Sequence, residues 1–410
     1  MDEPIITGID VGTSKICTLV ARLENRDQLR IMGVGIERSK GIRKGMIVDL
    51  DAATQAIERS IEKAERTSGL EITSAIVSIA GTNVTSQNNR GVVGVSGRII
   101  DENDMERAID AAQAVSIPHN QDPIQVIQRG FTVDGQEGIL MPAGMHAYRL
   151  EAEVHIVTVG AAGVQNLREA VGSVVEIDQF ILNPIASGEV VLTDTAKNMG
   201  VMVCDIGSGT TGMAIYIDGT IWYSMVLGIG GDYITSDIAH GLRLPLDRAE
   251  AVKIRHGFAY KDGVGPDEYF TVKPFGEQQA VQVSRKDLAL IIEARVEEIF
   301  SMVLQEIKRS GYDGLLPAGM VLTGGVSSLP GIREVAGRVL GIPVQIAKPE
   351  GLIGMTDRLH SPAFSTSVGL LRWGAMLTEF SSLSTRQIPI HRGGHIDWES
   401  IKSFLQRFIP

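Results

Sequence analysis

The sequence predicts an α/β chain in which one domain is present twice around a cleft, with a small α/β module inserted in the first copy and an amphipathic helix at the C-terminus. Three observations predict this. A strand–glycine turn–strand unit occurs twice at constant spacing. A stretch of different composition interrupts only the first copy. The end of the chain carries a single apolar face after a segment with no periodicity.

The repeated unit is clearest in its second copy. Val201-Met-Val-Cys-Asp-Ile reads as a buried strand, Gly207-Ser-Gly-Thr-Thr-Gly212 as a tight turn, and Met213-Ala-Ile-Tyr-Ile as a second strand. The glycines fit G-x-G-x-x-G, but a dinucleotide site requires a helix after them. Here Asp218-Gly219 and the β-rich run Thr220-Ile-Trp-Tyr follow, which is a hairpin signal. The first copy, Gly8-Ile-Asp10-Val-Gly12-Thr-Ser-Lys-Ile, aligns with Val203 to Thr211, so that Asp205 lies 195 residues after Asp10. The same offset carries Gly33 and Gly35 onto Gly228 and Gly230, which extends the predicted duplication past the hairpin.

A pair of such turns suits a polyphosphate held from both sides. Glycine lets backbone N–H groups approach phosphate oxygens with no Cβ in the way. Gly12, Gly207, Gly209 and the hydroxyls of Thr13, Ser14, Ser208, Thr210 and Thr211 are the expected donors, and Lys15 adds a cation. Asp10 and Asp205 would repel phosphate, so the expected role of both is to hold a hydrated Mg²⁺. Gly8 to Lys15 does not space its residues as a Walker A loop does.

Composition narrows the function classes. With 410 residues, 44% of them hydrophobic, the chain can bury two domain cores. A formal charge of −11 argues against nucleic acid as a partner and against adsorption to anionic lipid through bulk charge. No apolar run approaches 18 residues and no signal peptide opens the chain, so no membrane span is expected. Cys17 and Cys204 fall inside predicted strands and read as reduced core thiols.

In chain order, the first copy covers residues 5–83. It includes a helix from Asp49 to Thr67, with Ala53, Ala56, Ile57, Ile61 and Ala64 at helical spacing, and a strand at Ala75–Ala80. Residues 84–164 form the inserted module, with β-like Arg90–Gly97 and a charged helix capped by Asp101. Residues 165–200 complete the first copy, and Pro184 marks a helix start because it cannot sit mid-helix. The second copy spans 201–378. Gly230-Gly231 leads into a helix, Glu250 and Lys253 lie three apart on a helix face, and Leu288–Leu304 is strongly amphipathic with Arg295 and Glu298 opposite its apolar side. Leu322-Thr-Gly324-Gly325 is a strand and diglycine turn that admits close backbone approach. Residues 379–394 read as a linker.

The two hairpins together with Gly324-Gly325 resemble the actin/hexokinase/Hsp70 ATPase superfamily. Leu150–Thr158, Thr235–Ala239, Ala249–Gly257 and Ser365–Leu371 make the chain similar to the FtsA family of bacterial cell-division proteins within it. The resemblance implies duplicated actin-like (ribonuclease H-like) domains and ATP with Mg²⁺ as ligands. It places Gly230, Gly231, Glu250, Lys253, Gly324 and Gly325 near the nucleotide. Spacing alone reads Glu250–Lys253 as a surface ion pair. It further implies that the inserted module makes polymer contacts, and that a subdomain at about 232–312 takes the C-terminal peptide of FtsZ through Arg295 and Glu298. The helix at Pro184 and the one from Ser365 to about Met376 would be the two on which the halves hinge.

In residues 395–410, Trp398, Ile401, Phe404, Leu405 and Phe408 share one face of a helix that Asp397 can cap. Asp397 and Glu399 offset Lys402 and Arg407, so an in-plane membrane helix would bind by apolar burial, with roughly 1.5–3 kcal/mol for each fully buried side chain. Many copies in a filament would make attachment firm. Together with the tail, the resemblance implies a peripheral protein on the cytoplasmic side of the membrane, at the septum, that self-associates, tethers FtsZ and recruits other divisome proteins. Two rivals are a pilus-assembly scaffold of the same superfamily and a small-molecule kinase. No residue is assigned from sequence as the one that positions an attacking water.

Overall fold

The computed structural model describes residues 4–24 and 28–387. The chain begins with β1 (Ile5–Val11), β2 (Lys15–Glu24) and β3 (Gln28–Arg38), an antiparallel meander. A short hairpin follows, β4 (Ile42–Arg43) and β5 (Met46–Ile47). Next is α1 (Leu50–Ser68), capped by the Asp49 carboxylate, which accepts from the Ala52 amide, and closed by left-handed Gly69. Its alanine-rich face lies on β3, and Gly35 is required there because a Cβ would overlap the Ser60 carbonyl. β6 (Ser74–Ile79) then runs parallel to β1.

The inserted module comprises β7 (Val84–Ile99), α2 (Glu102–Gln113), β8 (Gln121–Val133), β9 (Gln136–Ile139) and β10 (His146–Gly160). Its sheet, in the order β7-β10-β8-β9, encloses a core with α2, and Asp101 and Asp104 form a capping box at the start of that helix. The module ends where α3 (Ala161–Gly172) begins, slightly before the expected boundary at residue 164. β11 (Glu176–Leu182), α4 (Asn183–Val191) with Pro184 in its first turn, and α5 (Asp194–Met199) return to the first half.

The second half starts with β12 (Val201–Ile206), β13 (Thr211–Ile217) and β14 (Thr220–Leu227). It continues through α6 (Gly231–Leu242), α7 (Leu246–His256), β15 (Tyr269–Val272), β16 (Val281–Ser284) and α8 (Arg285–Ser310), which extends the expected amphipathic helix at both ends. β17 (Met320–Thr323), α9 (Ile332–Leu340), β18 (Val344–Ile346), β19 (Ile353–Gly354) and α10 (Ser365–Gln387) complete the described chain.

The duplication is visible in the sheets. One runs β11-β6-β1-β2-β3 and the other β18-β17-β12-β13-β14, with the same strand directions. Asp10 faces Cys17 across its hairpin as Asp205 faces Gly212, so the offset of 195 holds through both first hairpins. It fails in the third strand. Gly33 and Gly35 lie inside β3 opposite Val20 and Thr18, whereas Gly228 and Gly230 follow the end of β14. The second copy turns after Ile217 through Asp218-Gly219, both at positive φ, while β2 continues two positions further before turning. The apparent glycine match is a coincidence of spacing.

Between the halves, α4 and α10 cross with backbones in contact, and a Cβ on Gly369 would overlap the Ala186 carbonyl. α10 packs its Leu370 and Trp373 into the first half's core and does not stop near Met376. Residues 379–387, expected as the start of a linker, are still helix. The rest of that linker and the proposed membrane residues Trp398, Ile401, Phe404, Leu405 and Phe408 lie outside the described residues. Among the described residues no helix is long and apolar enough to cross a membrane.

Candidate functional site

A cleft of about 1220 Å³ opens between the halves at the carboxyl ends of β1, β6, β12 and β17, where open α/β sheets place ligands. Each half presents the same turn to it. Gly12 N–H donates to the Lys15 carbonyl at 3.0 Å, and Gly207 N–H to the Thr210 carbonyl at 2.9 Å. Thr13 and Ser14, like Ser208 and Gly209, form the tips and line the cleft. The tips meet, for a Cβ on Gly209 would stand 2.6 Å from Thr13 Oγ1. The Thr13 hydroxyl also accepts from Gly45 N–H at 3.0 Å, so the β4–β5 hairpin braces the contact.

Asp10 and Asp205 end the two equivalent strands and are nearly buried, at 5% and 9% exposure. Asp10 accepts from Ser78 Oγ at 3.0 Å and Ser367 Oγ at 2.8 Å, and Asp205 accepts from Thr366 Oγ1 at 2.8 Å. Burial pushes the Asp205 carboxyl up to about 6, and the negative charge of Asp10 adds to the rise. The Thr366 and Ser187 hydroxyls and Lys15 oppose it. Two nearly buried carboxylates sharing a cleft with glycine turns are the donor set of a hard, hydrated divalent cation, and Mg²⁺ fits them. Lys15 donates its ammonium to the Ala363 carbonyl at 2.5 Å and lies 4.7 Å from the Phe364 ring centre.

The far wall is built by α6, α7 and the diglycine turn. Glu250 and Lys253 are paired at 2.6 Å, and both line the cleft. Lys253 also donates to the Gly231 carbonyl at 3.2 Å and to Thr235 Oγ1 at 2.8 Å, while the Thr235 hydroxyl donates to Glu250. Gly324 has φ +86°, and a Cβ there would overlap Asp205 Oδ1, so no other residue fits. Gly325 has only Ala363 near it, at 3.8 Å, and leaves its face of the cleft open.

Two expected nucleotide contacts are corrected. Thr211 is fully buried, the first residue of β13, and its hydroxyl donates to the Ile229 carbonyl at 2.8 Å. Strand alternation turns it away from the cleft that Thr210 lines. Gly230 lies beneath the second turn, where a Cβ would come within 2.6 Å of the Gly207 carbonyl, so it supports the turn and Gly231 lines the cleft. Arg295 and Glu298 are away from the cleft on α8. Arg295 is held by both oxygens of Asp237, at 2.5 and 2.9 Å, and by Glu298 at 2.5 Å, so its guanidinium is already engaged within the chain. Sequence reasoning missed Ser78, Thr366, Ser367, Asn183, Arg38 and Arg43, all in contact with the carboxylates or lining the cleft. The hydroxyl-rich start of α10 was the only signal available for Thr366 and Ser367.

Comparison with known proteins gives the family. The family described as cell division protein FtsA matches residues 202–369, and the SHS2 domain inserted in FtsA matches residues 81–158. The chain is 40% identical to the cell division protein FtsA of Pseudomonas aeruginosa over 371 residues, covering 90% of this chain and 89% of the relative. It is 38% identical to that of Borreliella burgdorferi over 400 residues, 97% of each, and 34% identical to that of Escherichia coli over 381 residues, 91% of each. Among solved structures, a PilM–PilN type IV pilus biogenesis complex superposes with a TM-score of 0.64 at 16% identity, covering 90% of this chain and 98% of that one. MreB 5 of Spiroplasma citri bound to AMPPNP gives 0.57 at 13%, covering 94% and 100%. These likenesses establish the actin-like fold. The chain belongs to the FtsA family of cell-division proteins.

Proposed function

We propose that this chain binds ATP with Mg²⁺ in the cleft, polymerises on the cytoplasmic face of the membrane and tethers FtsZ there, helping to recruit the divisome at the septum. The observation that carries the nucleotide reading is the pair Asp10 and Asp205, each at the end of an equivalent strand and each followed by a glycine turn that lines one cleft. The tips at Thr13-Ser14 and Ser208-Gly209 offer amides and hydroxyls to a phosphate chain from opposite sides. Asp10 and Asp205 hold, through water, a Mg²⁺ that neutralises phosphate charge. Gly231, Glu250, Lys253, Gly324 and Gly325 take the nucleoside end. The two α4–α10 helices link the halves, so closing the cleft on a ligand sets the shape presented to the next copy. The relatives' printed role in cell division supports the septal reading.

The test is co-sedimentation with lipid vesicles, with and without ATP, comparing the whole chain with one ending at Gly394. ATP-enhanced pelleting of the whole chain that truncation abolishes is the expected result. Equal pelleting of both chains removes the membrane helix from the proposal.

A further inference from the structure

Two arginines, Arg38 and Arg43, line the cleft beside the first glycine turn. Arg38 ends β3 and pairs with Lys15, the first residue of β2 after that turn. Cross-strand partners lie on one face of a sheet with Cβ atoms about 5 Å apart, so Arg38 stands beside Lys15. The next residue stays with the same turn, since Ser39 N–H donates to the Ser14 carbonyl at 3.1 Å. Arg43 ends β4 and pairs with Met46 around the two-residue turn Lys44-Gly45. Both turn residues have positive φ, 51° and 70°, the geometry of a tight hairpin.

That hairpin is fixed against both phosphate turns. Gly45 N–H donates to Thr13 Oγ1 at the tip of the first. At the tip of the second, a Cβ on Gly209 would stand 3.0 Å from Lys44 Cα, and Lys44 Nζ lies 5.1 Å from the centre of the Tyr233 ring on α6. Arg43 is the neighbour of Lys44, about 3.8 Å away along the chain, a distance that an arginine side chain spans easily. Both arginines are exposed, in reach of a dissolved ligand.

Among the described residues neither guanidinium has a hydrogen-bond or ion-pair partner. Glu37, the acid next to Arg38, is taken by Lys63 and Arg59. The other two cations that line the cleft are engaged, Lys15 by the Ala363 carbonyl and Lys253 by Glu250. Arg38 and Arg43 are therefore the uncommitted positive charge of the cleft, and both belong to the first half. Gly231, Glu250, Lys253, Gly324 and Gly325, which take the nucleoside end, belong to the second. A nucleotide lying that way across the turn tips brings its terminal phosphate toward the first half.

We propose that Arg38 and Arg43 bind the terminal phosphate of a nucleoside triphosphate and make the cleft prefer triphosphate to diphosphate, an assignment that rests on the ATP reading above. The guanidinium fork matches pairs of phosphate oxygens. Arg43 is carried by a hairpin that also touches Gly209 and Tyr233 of the second half. Its contact with the terminal phosphate thus holds the two halves together over a triphosphate and not over a diphosphate.

The test uses the whole protein with Mg²⁺ and calorimetry. The probes are AMPPNP, which presents three phosphates and is not hydrolysed, and ADP. The wild type is expected to bind AMPPNP more tightly than ADP. Arg38→Ala and Arg43→Ala should each weaken AMPPNP by about five- to tenfold and ADP by about twofold or less, the loss of one charge-assisted contact in a partly solvated site. Arg43→Lys should fall between wild type and Arg43→Ala, because it keeps the charge and loses the fork. The retained ADP affinity reports an intact cleft in each variant. Wild-type AMPPNP affinity in both alanine variants overturns the proposal. Equal weakening of AMPPNP and ADP does so too, as does a wild type that binds both nucleotides alike, and each of these leaves the ATP reading standing. A wild type that binds neither nucleotide overturns the ATP reading itself, and this inference with it.

Discussion

Thr366 and Ser367 are consecutive at the start of α10, and each holds the carboxylate of a different half: Thr366 Oγ1 donates to Asp205 and Ser367 Oγ to Asp10, both at 2.8 Å. One helix turn thus ties together the two acids that the duplication placed 195 residues apart. A hydrogen bond to a charged group is worth about 1.5–3 kcal/mol. Replacing Thr366 with Val keeps the shape and removes the donor, which disfavours the ionised form of Asp205. The expected outcome in calorimetry is Mg²⁺-dependent ATP affinity lower by about tenfold, with a smaller change when Mg²⁺ is omitted. Unchanged affinity in both conditions would show that Asp205 does not act on the cation.

Asp205 itself makes a prediction about stability. Its folded carboxyl titrates near 6 against an ordinary 3.8, chiefly because it is buried. Between those values the folded chain binds a proton that the unfolded chain has released. The contribution is complete below 3.8 and is lost as pH rises through about 6, so at neutral pH the buried charge costs stability. Asp205→Asn is therefore expected to raise the stability of the nucleotide-free protein at pH 7.5, by an amount on the order of 2–3 kcal/mol, while weakening Mg²⁺·ATP binding. Denaturant titration of both proteins at pH 7.5 and pH 5 checks it, and the difference between them should shrink at the lower pH.

The reasons some of this was legible in the sequence are physical. A turn that must bring backbone amides to phosphate needs glycine, and a strand that ends in a buried acid needs apolar neighbours, so Asp10–Gly12 and Asp205–Gly207 are marked by residue type. Thr211 sits one step past the marked residues, and only the phase of strand alternation decides which way it points. Thr366, Ser367 and Asn183 reach the cleft through contacts between segments far apart in the chain, and the hydroxyl-rich start of α10 marks the first two only by residue type, not by what they reach. The match of Gly33 and Gly35 to Gly228 and Gly230 misled for a related reason. Glycine is needed under α1 at Gly33 and Gly35, against Thr82 at Gly228 and under the phosphate turn at Gly230, so the shared spacing has separate causes.

The inserted module was recognisable by composition, but its docking was not. Besides belonging to the first half, it packs on β14 of the second: Ser86 Oγ donates to the Ser224 carbonyl at 2.8 Å, and Asn88 Nδ2 to the Trp222 carbonyl at 2.9 Å. At the centre, His155 is fully buried between Asn88 Oδ1 at 2.7 Å and Ser224 Oγ at 2.9 Å, and Arg129 lies over the Trp222 ring. Burial, with Arg129 nearby, pushes the imidazole down to about 3. The unfolded chain takes up a proton near 6.5 that the folded chain refuses until about 3, so this contact should lose stability as pH falls through that window. His155→Phe is expected to cost about 1–3 kcal/mol at pH 8, because Asn88 and Ser224 lose their partner. It should also flatten the stability profile between pH 6.5 and pH 4. Unfolding followed by urea at pH 8, 6 and 4.5 reads both effects.

On α8, the peptide-binding proposal makes a demand that residue type alone did not suggest. Arg295 already satisfies Asp237 through two nitrogens and Glu298 through a third, with its side chain only 20% exposed. If an acidic FtsZ C-terminal peptide docks on Arg295, it must compete with Asp237 for the guanidinium or add to the same cluster against an existing negative charge. If it competes, Asp237→Asn removes the competitor and its charge, and should tighten binding of the peptide by several-fold, roughly 1 kcal/mol. Arg295→Glu should weaken it by more, because it leaves carboxylates at 237, 295 and 298 facing the incoming acid. Fluorescence anisotropy with the labelled peptide at two salt concentrations measures both variants, and the wild-type affinity should fall as salt rises. Should Arg295→Glu bind as wild type does, Arg295 is a brace between α6 and α8, and the peptide's acidic group is received elsewhere.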